Sequence, residues 1–67
     1  MKLTNRTYQV YICKDQECGV LKRGNKKEMA ALFEACKADP ELYHVELMKY
    51  SVPNYWIAIE KYHKENK

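Results

Sequence analysis

A chain of 67 residues has room for one domain and one modest core. Hydrophobic residues make up 46% and charged residues 31%, with two Gly and two Pro, which excludes a disordered chain. No apolar run approaches the ~20 residues that a membrane-spanning helix needs.

The net charge of +3 conceals a segregation. Residues 1–27 carry seven basic and two acidic side chains, a net +5; residues 28–60 carry two basic and six acidic, a net −4. The last seven residues add +2. Such asymmetry bears on steering and partner choice, not on fold. The opening MKLTNRTYQV lacks the apolar centre of a secretory signal, so a cytoplasmic location is expected. Three cysteines, an odd number, cannot all pair within one chain and are most simply free thiols in a reducing compartment, although Cys13 and Cys18 face each other across a hairpin loop and could bridge on oxidation.

The first five residues are polar and are expected to fray. Thr7 to Cys13 then alternates with period two: Tyr8, Val10 and Ile12 point one way, Thr7, Gln9, Tyr11 and Cys13 the other. Aromatic and β-branched content makes this the clearest strand in the chain. Lys14-Asp15-Gln16-Glu17 has the length of a hairpin loop. Cys18 to Arg23 reads as a short return strand that Gly24 ends. Lys22 and Arg23 suit an edge, where charge discourages further pairing.

Asn25 to Asp39 carries the helix signal. Asn25 caps it, with Glu28 three positions on as in a capping box. Met29, Leu32, Phe33 and Cys36 follow at i, i+3, i+4 and i+7 as one apolar stripe. Lys26 and Lys27 oppose the dipole of the first turn, and Pro40 stops the helix.

Leu42 to Tyr50 alternates again, with Tyr43, Val45 and Leu47 on one face and Leu42, His44, Glu46, Met48 and Tyr50 on the other. Ser51-Val52-Pro53-Asn54 is turn chemistry. Tyr55 to Tyr62 is the last strand: Tyr55, Ile57 and Ile59 form its apolar set, and Trp56, Ala58, Glu60 and Tyr62 the opposite set. His63 onward is a charged tail, with residues 64–67 expected to fray.

The order β-β-α-β-β predicts a single α+β domain over residues 1–67. It is a two-layer sandwich in which a four-stranded, mostly antiparallel sheet carries one helix on one face, with the first strand interior. One helix covers one face. If that face holds Tyr8, Val10, Ile12, Val45, Leu47, Ile57 and Ile59, the other presents Tyr11, His44, Met48, Tyr50, Trp56, Ala58 and Tyr62. Apolar surface of that extent marks an interaction site.

Chemistry is sparse. Cys13 and Cys18 have a C-x4-C spacing, but the second tight pair of a structural zinc site is missing, and Cys36 lies on the helix stripe. His44 and His63 have no nucleophile beside them in sequence, the carboxylates are scattered singly, and there is no Gly-rich phosphate cradle. No catalytic residue, metal or cofactor is expected, no small-molecule substrate and no membrane.

The expected function is non-enzymatic: a small interaction protein that docks an aromatic sheet face or a strand edge on a protein partner or a second copy of itself. Tyr11, Tyr50, Trp56 and Tyr62 would anchor the contact, and Lys22, Arg23, Lys26 and Lys27 would steer it. The alternative is a nucleic-acid-binding module. LKRGNKK, Leu21 to Lys27, holds four basic side chains and no acid, and sheet aromatics can stack bases.

Overall fold

The computed structural model describes residues 6–51 and 54–64. The chain forms β1 (Tyr8–Lys14), β2 (Glu17–Gly24), α1 (Lys26–Lys37), β3 (His44–Ser51) and β4 (Tyr55–His63). The four strands make one antiparallel sheet in the order β2-β1-β3-β4, with the helix on one face. This is the expected α+β arrangement, with β1 interior and β2 at an edge. The expected fraying of residues 1–5 and 65–67 and the corner at Val52-Pro53 lie outside the described residues. Lys64, expected in the frayed tail, donates its backbone N–H to Tyr43 O at 2.8 Å. Among the described residues no helix is long and apolar enough to cross a membrane.

The first hairpin is tighter than its sequence suggests. Lys14 pairs with Glu17, so the turn is only Asp15-Gln16. Asp15 takes a left-handed backbone, φ 52°, which a short polar side chain tolerates. At the helix start the Asn25 side chain accepts from Glu28 N–H at 2.8 Å, which satisfies one of the free first-turn donors. Gly24, just before the cap, sits close beneath two flexible side-chain ends. A Cβ there would lie 3.0 Å from Glu28 Oε1 and 3.2 Å from Met29 Cε.

The core lies between α1 and the two central strands. Met29, Phe33 and Cys36 of the helix meet Tyr8, Val10, Val45 and Leu47, with Ile12, Ala30 and Leu32 packed partly against them. Full burial of a side chain such as Phe33 contributes about 1.5–3 kcal/mol. Leu42 also belongs to this core, although alternation had put it on the opposite face. The strand begins two residues later, at His44, so Leu42 is free of the strand's alternation and turns inward.

Two register slips set the faces of the edge strands. In β2, Lys22 opposes Val10 and Val20 opposes Tyr11, which leaves Leu21 as an extra residue. In β4, Glu60 opposes Leu47 and Ala58 opposes Met48, which leaves Ile59 extra. Each is a bulge, and beyond a bulge every side chain changes face. Tyr62 and Glu60, expected on the helix-free face, therefore sit opposite Val45 and Leu47 on the helix side. Trp56 and Ala58 lie before the slip and keep their place opposite Tyr50 and Met48.

Candidate interaction surfaces

The helix-free face holds Gln9, Tyr11, Met48, Tyr50 and Trp56, and its own side chains close much of it. Gln9 is the one buried polar residue among those described, and it sits between two partners. Arg23 Nε donates to its Oε1 at 2.9 Å, and its amide nitrogen reaches Met48 Sδ at 3.2 Å. Arg23 then continues across the sheet until its guanidinium lies 5.2 Å from the centre of the Trp56 ring. Tyr50 meets Trp56 edge to face at 5.0 Å and is only 5% exposed.

The four expected aromatic anchors therefore separate. Tyr11 and Trp56 are half-buried on this face, Tyr50 is buried, and Tyr62 is on the other side. Arg23, expected to steer partners, is tied to Gln9 and Trp56.

The free apolar surface is beside the helix. Tyr55 is 64% exposed, Ile57 44%, Ile59 43% and Tyr62 38%. Ile57 and Ile59 had been expected under the helix, and the reason they are not is dimensional. An α-helix is about 10 Å wide with its side chains, and strands lie about 4.8 Å apart, so one helix shields two or three strands of four. Here α1 packs on β1 and β3 and more lightly on β2. At β4 the helix extends Lys37, whose ammonium lies 5.8 Å from the Tyr62 ring. From Tyr55 to Ile59 the strand carries no charge.

A sequence signal for this strip exists in retrospect. After Tyr55, Ile57 and Ile59 the next apolar residue is Tyr62, three positions on instead of two. That change of phase marks a bulge. The adjacent pair Val20-Leu21 marks the one in β2. Leu21 there helps line a shallow groove between β2 and α1, together with Ile12, Leu32 and Leu42.

Four basic residues gather at the end of the sheet where β1 begins. Arg6, Tyr8, Asn25, Lys26, Lys27 and Lys49 line one shallow cleft there. Lys49 reaches it because β3 runs antiparallel to β1 and pairs Lys49 with Tyr8. It is a cation that the linear run Leu21 to Lys27 does not contain. Lys22, opposite Val10, is exposed on the nearby edge.

Of the two states open to Cys13 and Cys18, the structure has the bridged one. Cys13 and Cys18 are directly opposed across the first hairpin and joined as a disulfide. Cys36 is a free, buried thiol. Burial, and secondarily the Asp39 carboxylate, push its pKa up, which disfavours the reactive thiolate. Its place is in the core, as the helix stripe implied.

Comparison with protein-family models, with curated proteins and with solved structures gives no match.

Proposed function

We propose that the protein is a small, non-enzymatic binding module of the cytoplasm that associates with a second copy of itself through β4. The observation that carries this reading is the uncovered strip of Tyr55, Ile57, Ile59 and Tyr62. It lies along an edge strand whose outer backbone groups have no neighbouring strand among the described residues. Apolar side chains beside an open edge are a template for association. The absence of charge from Tyr55 to Ile59 lets two copies meet there without like-charge repulsion. The helix-free face offers less, because Arg23 and Tyr50 already occupy the space around Trp56.

The test is sedimentation equilibrium on wild type and Ile57→Lys. Wild type is expected to dimerise, and Ile57→Lys to stay monomeric with an unchanged circular dichroism spectrum. A wild-type chain that remains monomeric at every concentration would sink the proposal. So would an Ile57→Lys chain that dimerises equally well.

A second reading is favoured by the basic cleft. Its four cations around a helix start suit phosphate, and so the backbone of a nucleic acid. Binding of that kind should weaken steeply with salt and fall further in Lys26→Glu, while leaving β4 self-association unchanged.

A further inference from the structure

At the end of the sheet away from the basic cleft, one row crosses all four strands. Cys18 opposes Cys13, Cys13 opposes His44, and His44 opposes His63. All four lie on the helix-free face. The two sulfurs are bonded to each other, which removes them as thiolate donors. The two imidazoles face one another, with their Nδ1 atoms 3.0 Å apart. Their ring centres are 5.2 Å apart and the planes are inclined at 61°. His63 is not the tail residue its position suggests. It is the last residue of β4, and Tyr43 packs edge to face against its ring at 6.0 Å.

A third group orients His44. His44 Nε2 lies 2.6 Å from Glu46 Oε2. A carboxylate can only accept, so Nε2 carries the ring proton and the lone pair of neutral His44 is on Nδ1, directed at His63. This is how a carboxylate commonly orients a metal-ligating histidine.

We propose that His44 and His63 form a surface site for a divalent late first-row transition ion, such as Zn²⁺, held through both Nδ1 atoms. Two nitrogens bound to one tetrahedral zinc at about 2.0–2.1 Å lie roughly 3.3 Å apart. The pair is within a few tenths of an ångström of that separation, and His63, exposed at the end of its strand, would supply the adjustment. Its proton moves to Nε2 in the process, so that both Nδ1 lone pairs point inward. Imidazole nitrogen suits zinc, nickel and copper, whereas magnesium and calcium take oxygen ligands. Among the described residues no three His, Cys, Asp or Glu side chains converge on one point, so water fills the remaining positions. The site is therefore an open chelate and not a folding nucleus. It is on the face opposite the β4 strip and does not depend on self-association.

The test is a titration of the full chain with Zn²⁺ and separately with Mg²⁺, followed by NMR of the histidine ring signals and backbone amides. The ring signals of His44 and His63 are expected to shift together, saturating at one Zn²⁺ per chain, with no response to Mg²⁺. His63→Asn, at an exposed strand end, should keep the amide spectrum and lose saturable binding. His44→Asn provides the same check from the other ligand. Glu46→Gln should retain binding and weaken it by about 10–100-fold, the usual cost of removing an orienting carboxylate. Rings that stay unshifted in a large excess of Zn²⁺ would show a hydrogen-bonded histidine pair and nothing more. Equal binding by His63→Asn or an equal response to Mg²⁺ would also overturn the assignment.

Discussion

The two edge strands solve the same problem in different ways. Both β2 and β4 pair with one neighbour, and both carry a bulge that pushes an apolar residue outward, Leu21 in one and Ile59 in the other. β2 is otherwise guarded. A disulfide fastens its start to β1, Gly19 leaves a gap in its surface, and Lys22 and Arg23 discourage a further strand. β4 has nine residues, no proline, and no charge over its first five. Exposed hydrophobic side chains alone do not separate them, since Val20 is as exposed as Ile57. The difference is in continuity. On β4 Tyr55, Ile57 and Ile59 come before any charge, with Tyr62 beyond Glu60, whereas on β2 the apolar pair is bounded by glycine and cations.

The largest expected effect tests the frame on which both edges rest. Phe33 is nearly fully buried between α1 and the central strands. Phe33→Ala should cost about 3–5 kcal/mol, measured as the fall in the urea midpoint. For a domain this small that is most of its stability, so both edges should be lost in one transition. A partly unfolded state that keeps the β3–β4 hairpin would mean that β4 is held independently of the helix.

An intermediate effect tests the fastening of β2. The Cys13–Cys18 bridge spans a sequence separation of five, and a loop that short removes little entropy from the unfolded chain. Reduction, or the double change Cys13→Ala with Cys18→Ala, should cost at most about 2 kcal/mol, read by thermal unfolding with and without a dithiol. The direct opposition of the two residues and the pairing of Lys14 with Glu17 hold the register without it. Reduction should leave association through β4 unaltered.

How much of this was legible in the sequence depends on the range of the interaction. The helix from its Asn25 cap through Met29, Phe33 and Cys36, and the interior place of β1, follow from local signals that the fold agrees with. The faces of β4 did not follow, because one bulge at Ile59 moves Glu60 and Tyr62 across the sheet, and strict alternation hides such a slip. The exposure of Ile57 was missed for a different reason. It depends on helix width against sheet width, which no residue in β4 records. The His44–His63 pair was out of reach as well, since its members meet only through the β3–β4 register. The basic cluster was legible in part: Lys26 and Lys27 are consecutive, whereas Lys49 arrives through the pairing of β1 with β3.

The smallest expected effect bears most directly on the comparison of edges. Leu21 is 48% exposed and, like Ile59, is the extra residue of a bulge. If exposure at a bulge were enough to create a docking edge, Leu21→Lys should impair self-association as Ile57→Lys does. Should continuity be the requirement, Leu21→Lys does nothing to association. Its stability should then stay within about 0.5 kcal/mol of wild type, the usual range for a surface change. Leu21 also lines the groove beside Leu32 and Ile12, so lost packing there would register as a small fall in the unfolding midpoint and not in the dimer population. Sedimentation of Leu21→Lys beside Ile57→Lys separates these outcomes. A dimer lost in both variants would remove the distinction between the edges and make β2 an equal party to the contact.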